Sequence, residues 1–126
     1  MTHNRQLDTP EGQLLLAALR TATARLPEVR EVIDGFGHTT FKVRNKSFLI
    51  AGMGAEGGDI SIKSDPTTQS HLVRRGPWYR TPYIGQHGWV SIADPLRHNR
   101  AEIDELIVDG YRMAAPKRLL KQLSPS

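Results

Sequence analysis

The stretch Thr39-Thr40-Phe41-Lys42-Val43-Arg44-Asn45-Lys46-Ser47-Phe48-Leu49-Ile50-Ala51-Gly52-Met53 decides the fold. Phe41 and Val43 alternate with Lys42 and Arg44, the period of a strand with one apolar and one basic face. Asn45-Lys46 falls where a two-residue hairpin loop belongs, and Asn tolerates the left-handed backbone of such a turn. Ser47 to Ala51 returns as the second strand, and Gly52 and Gly54 end it. A hairpin alone is only marginally stable. The remaining chain must lay strands beside it or helices over it.

Upstream, Thr9-Pro10-Glu11 opens a helix with an N-cap, a proline at the first helical position and an acid at the positive dipole end. Leu14, Leu15, Ala18, Leu19, Ala22 and Leu26 share its apolar face. Pro27 ends it near Arg25, and the first eight residues look frayed. Val29 to Ile33 fits a strand or a helical turn equally well. Asp34-Gly35-Phe36-Gly37-His38 is a turn.

Downstream, Gly54-Ala55-Glu56-Gly57-Gly58 lacks the Gly-Lys and following helix of a phosphate loop. It is a hairpin loop, because Asp59-Ile60-Ser61-Ile62-Lys63 resumes strand alternation at once. Lys63 shares a face with Asp59 and Ser61. Asp65-Pro66 starts a short helix to Arg74, anchored by Leu72 and Val73. Tyr79 to Ile84 and Trp89 to Ala93 form another extended pair around Gly85-Gln86-His87-Gly88. Asn99-Arg100-Ala101-Glu102 is a capping box. It opens a helix whose apolar face is Ile103, Leu106, Ile107, Tyr111 and Ala114. Gly110 within that helix points to a close packing contact. Pro116 ends it, and the leucines of the 117–123 tail dock back on the body.

Strands joined mostly by hairpins, with helices at both ends, make an α+β domain: an antiparallel sheet flanked by N- and C-terminal helices. One domain spans residues 1–126, with an ordered core of about 10–120. One sheet face is left to solvent or a partner.

The chain has 126 residues, no Cys and a net charge of +4. Disulfides, thiolate metal sites and Cys nucleophiles are excluded, and a reducing cytoplasm is the expected setting. No run approaches the ~20 apolar residues of a membrane span, and the first residues carry no apolar leader. Between Phe36 and Ser91 seven cations face three anions, while the rest of the chain is balanced. The whole excess therefore lies in a stretch that reads as mostly sheet. A one-sided basic surface attracts nucleic acid or another polyanion. The plainer reading is a solvated face kept basic for solubility. The five histidines include no i, i+4 pair, so no zinc motif arises. No Gly-x-Ser-x-Gly occurs. No catalytic residue, metal or cofactor is expected, and the chain is not expected to be an enzyme.

Four segments in order carry a resemblance: Leu26-Pro27-Glu28-Val29; Phe41-Lys42-Val43 with Lys46; Pro82-Tyr83-Ile84-Gly85 running into Gly88-Trp89-Val90; and Tyr111-Arg112-Met113-Ala114-Ala115-Pro116-Lys117-Arg118-Leu119. Together they resemble the MmcQ/YjbR-like family from about Pro10 to Leu120. That family's hairpin usually carries Gly where this chain has Asn45. The resemblance implies a YjbR-like, CyaY-like sheet with flanking helices and DNA binding through a double-wing motif. Phosphate contact then falls to Lys42, Arg44, Lys46, Lys63, Arg74, Arg75 and Arg80. Tyr83 and Trp89 would stack bases or line a pocket. The alternative is a small-molecule or partner-protein module with a sequestration, resistance or chaperone-like role. Monomer and homodimer both remain open.

Overall fold

The computed structural model describes residues 6–54 and 57–123. A six-stranded antiparallel sheet forms one layer, in the order β1-β2-β3-β4-β6-β5. The strands are β1 (Val29–Ile33), β2 (Thr39–Val43), β3 (Lys46–Gly54), β4 (Gly57–Ile62), β5 (Tyr79–Arg80) and β6 (Val90–Ala93). Helices α1 (Pro10–Thr23) and α3 (Arg100–Ala114) pack on one face of β3 and β4, and α2 (Pro66–Arg75) packs by β5 and β6. A last turn, α4 (Lys117–Leu120), docks through Leu119 and Leu120.

The helix caps follow local sequence. Thr9 accepts from the Gly12 amide, Asp65 from the Thr68 amide and Asn99 from the Glu102 amide. Each satisfies one of the unpaired donors of a first helical turn. The capping box of α3 is only half made, however. The Glu102 side chain turns away to Arg75 and Trp78, because a charged donor and a buried indole outcompete a backbone amide. On α1, Leu15, Leu16 and Leu19 are buried, while Leu14 is exposed. The core also starts earlier than expected. Leu7 is buried in it, and a Cβ on Gly12 would lie 2.8 Å from the Leu7 backbone.

The central hairpin forms with its loop one residue earlier than the sequence suggests. Val43 pairs with Lys46, so Arg44-Asn45 is the loop, and Arg44 takes the left-handed conformation (φ 57°). A β-bulge accounts for the shift. Phe41 pairs with Leu49 and Lys42 with Ser47, leaving Phe48 as the extra residue. Consecutive Phe48 and Leu49 are both fully buried. Phe48 meets Tyr111 of α3 edge-on, with ring centroids 5.5 Å apart. Burying one more aromatic offsets the broken ladder.

Val29–Ile33 resolves as an edge strand against β2. The strand β3 runs on through Gly52 to Gly54 and pairs there with Gly57. Within the expected glycine loop, Ala55 and Glu56 lie outside the described residues. The second extended pair shrinks to Tyr79–Arg80 against Ser91 and Val90, and a 3-10 turn (Gly85–His87) replaces the simple loop. On α2, Val73 is exposed and Gln69 is buried instead. Its amide donates to the carbonyls of Gly85 and Trp89, so an apolar anchor would take one buried donor from each, leaving them the backbone amides of Gly88 and Thr81.

Candidate nucleic-acid interface

The register of the sheet sorts its side chains into rows that cross all the strands. One helix-side row is Glu31, Phe41, Leu49, Ile62, Val90 and Arg80. Its central members are fully buried under α1 and α3. The matching row on the opposite face, which no helix covers, is Val32, Thr40, Ile50, Ser61, Ser91 and Tyr79; Thr40 and Ser91 are buried among their neighbours, and the other four keep some exposure. Two residues along the strands lies a third row, Arg30, Lys42 and Ser47. Lys63 adjoins it, bonded through its amide to the Phe48 carbonyl and continuing the alternation of Asp59 and Ser61.

Arg30 sits directly opposite Lys42. Like charges in that position oppose each other by about 0.2–1 kcal/mol. No carboxylate stands in their row. Glu28, two residues before Arg30, is bound to Arg44 at 2.9 Å, and the Arg30 guanidinium itself donates to the Arg44 carbonyl at 3.5 Å. Arg30 was missed by sequence reasoning. The signal was there in the alternation Arg30/Val32, but only once Val29–Ile33 is known to be a strand.

The seven cations singled out from sequence do not form one surface. Lys42 lies in the row of Arg30, and Lys63 follows the last residue of β4, where continued alternation from Asp59 and Ser61 turns it to the same face. Lys46 is exposed at the hairpin end, opposite Val43. Arg44 is neutralised by Glu28, and Arg75 holds Glu102 through both carboxylate oxygens at 2.9 and 2.6 Å. Arg74 and Arg80 line a separate hollow with Gln69, Ser70 and Val73 beside α2. Arg80 pairs with Val90, placing it on the helix side, away from Lys42.

The aromatics divide as sharply. Trp89 is 6% exposed and Trp78 3%, which removes both from base stacking. Tyr83 is 96% exposed with a left-handed backbone (φ 68°), off the open face's rows. Tyr79 is 39% exposed at the end of the open row. Its phenol is pushed above the ordinary range by burial and by the Asp59 charge, against a hydrogen bond with Ser91. Ser91 also bridges Ser61 and Thr81, at 2.7 and 2.8 Å.

Among the described residues no group of His, Asp and Glu is placed to hold a metal. No helix among them is long and apolar enough to cross a membrane.

The YjbR family model matches residues 24–113, from the end of α1 through nearly all of α3. The chain belongs to the YjbR family. A solved structure, that of Deinococcus radiodurans protein DR2400 with its DUF419 domain, is similar at 21% identity and a TM-score of 0.66. The likeness covers 78% of this chain and 76% of that one, and it shows a shared α+β fold. No curated protein matches the chain. The YjbR match takes in the whole sheet, and with it Arg30, Lys42, Lys46 and Lys63.

Proposed function

We propose that this YjbR-family chain is a non-catalytic DNA-binding protein that holds backbone phosphates on the open face of its sheet. The observation that carries this reading is Arg30 facing Lys42 across β1 and β2 with no carboxylate in the row. A sheet that needed only solubility would place opposite charges there, or spread its cations. A bound phosphate turns the mutual repulsion into two charge-assisted contacts. Lys63 extends the row and Lys46 stands ready at the hairpin end.

The alternative of a small-molecule or partner-protein module draws less support. The apolar cleft between α1 and the Asp94–Arg97 turn, lined by Leu15, Gly58, Pro95 and Leu96, holds about 80 Å³. Ligand pockets usually enclose about 300–1,000 Å³. The larger hollow of about 550 Å³ by Glu28, Arg30 and Arg44 lies at the edge strand and is wide open.

Fluorescence anisotropy of labelled DNA from about 20 to about 200 mM salt tests the proposal. Three or four phosphate contacts give a slope of log K on log salt of about −3. The double variant Lys42→Glu/Lys63→Glu is expected to lose binding while keeping its far-UV spectrum and melting temperature. Binding that survives this reversal, with the fold intact, defeats the proposal.

A further inference from the structure

We infer, resting on the phosphate-binding reading above, that the open face takes a single nucleic-acid strand laid across the β-strands. Its phosphates lie on the row Arg30–Lys42–Lys63 and its bases on the neighbouring row Val32–Ile50–Ser61–Tyr79.

The two rows run parallel, both perpendicular to the strands. They are two residues apart, which is about 7 Å along a strand. Neighbouring strands are about 4.8 Å apart, so the cation row spans about 14 Å from β1 to β4. An extended single strand has this same side-by-side form, a charged edge and a flat aromatic edge on one surface. A duplex does not. It turns its phosphates outward and shows its base edges only within grooves, which are read by a projecting helix or ribbon. The open face between β1 and β6 is a sheet surface and projects neither.

The chemistry of the second row fits bases and not phosphates. Val32 and Ile50 are partly exposed apolar groups, and Tyr79 offers an aromatic ring at the far end. Bases stack on such groups with little regard to sequence. Ser61 adds a hydroxyl between them. Thr40 lies beneath, between Val32 and Ile50. Its Oγ1 is the single buried side-chain polar atom among the described residues without a hydrogen-bond partner.

The row beyond contains Gly52, Asp59 and Ala93. The Asp59 carboxylate there opposes phosphates, so the strand has one orientation across the face: backbone toward Lys42, bases toward Tyr79.

The test uses the full chain and four labelled probes at about 100 mM salt: a mixed-sequence single-stranded deoxyoligonucleotide, its ribo counterpart, the matching duplex and an abasic single strand. The single strands, deoxy or ribo, are expected to bind about tenfold or more tighter than both the duplex and the abasic strand, since each stacked base contributes strongly to such complexes. The variant Ile50→Thr/Tyr79→Ser is expected to lose the preference over the abasic strand and keep the salt slope. A duplex bound as tightly as the single strand, or no loss on removing bases, overturns this inference and leaves phosphate binding standing. No binding of any probe removes both.

Discussion

Glu102, the third residue of α3, accepts a hydrogen bond from the indole Nε1 of Trp78 at 3.1 Å while the same carboxylate grips Arg75. One side chain thereby ties the end of α2 and the loop after it to the start of the last long helix. Trp78 is nearly fully buried, so its N–H needs this acceptor. The Arg75 hydrogen bond, ahead of the indole, holds the Glu102 carboxyl below its ordinary value of 4.5, against the opposing pull of burial.

That depression makes the tie dependent on pH. A carboxylate held low when folded stabilises the protein above its ordinary pKa, and the stabilisation fades as pH falls through the folded value. Glu102→Gln is expected to cost about 1 kcal/mol at pH 7, discounted for the third of the side chain that stays exposed. The gap between variant and parent should close toward pH 3. Urea melts at the two pH values measure it. An equal gap at both would place the contribution in packing and not in charge.

Gly110 faces the sheet where α3 comes closest. A Cβ there would lie 2.8 Å from the Lys63 carbonyl oxygen and 3.4 Å from that of Phe48. Alanine gains about 1 kcal/mol of helix propensity over glycine. Backbone carbonyls do not swing aside as a lysine tip would, so the clash wins. Gly110→Ala is expected to destabilise by about 1–3 kcal/mol net, read from the midpoint of chemical denaturation. A stabilised variant would mean that α3 can lift off β3 freely.

Tyr111, the next residue of α3, packs on the same strand. Its ring is fully buried against Phe48, and its hydroxyl donates to the Pro27 carbonyl at 2.7 Å. Tyr111→Phe keeps the ring contact and strands the carbonyl, an expected loss of about 1 kcal/mol. Burial, then the Glu28 charge, raises the phenol above its ordinary value of 10.0. A group whose folded pKa is raised stabilises fully below the unfolded value and loses that as pH rises. Stability should therefore drop above about pH 10, and by less in Tyr111→Phe, with Tyr79 carrying the remainder.

The sequence made some of this legible for a physical reason. Thr9, Asp65 and Asn99 cap their helices because capping is decided within four residues. Gly110 announced a close approach because only packing justifies glycine inside a helix. What stayed hidden depends on partners far along the chain. Arg44, and not Asn45, turns left-handed because a bulge at Phe48 shifts the register, and that bulge answers to Tyr111, more than sixty residues away. Five residues at Val29–Ile33 suit two conformations until β2 lies beside them. Arg44 and Arg75 looked free for phosphate because Glu28 and Glu102 become their neighbours only on folding. Trp89 looked available for stacking because an aromatic beside glycines gives no sign of which way the sheet buries it.

Arg30 and Lys42 put stability and binding in opposition, and one substitution separates them. If the pair is retained for an anionic ligand, the fold bears its repulsion when empty. Arg30→Glu replaces a like-charge pair with a cross-strand ion pair opposite Lys42, and it also sets a carboxylate near Arg44, two residues from Lys42 along the chain. The apo protein is expected to gain up to about 1 kcal/mol, given the weakness of exposed pairs. Binding should weaken at least as much as for loss of a phosphate contact, with the salt slope falling by about 1. Arg74→Glu/Arg80→Glu serves as the control. It makes the same change of sign on the α2 side and should leave the affinity for DNA within a few-fold of the parent. A more stable Arg30→Glu that binds as well as the parent would assign the row to chance. A control that binds as poorly as Arg30→Glu would assign the effect to overall charge rather than to the open face.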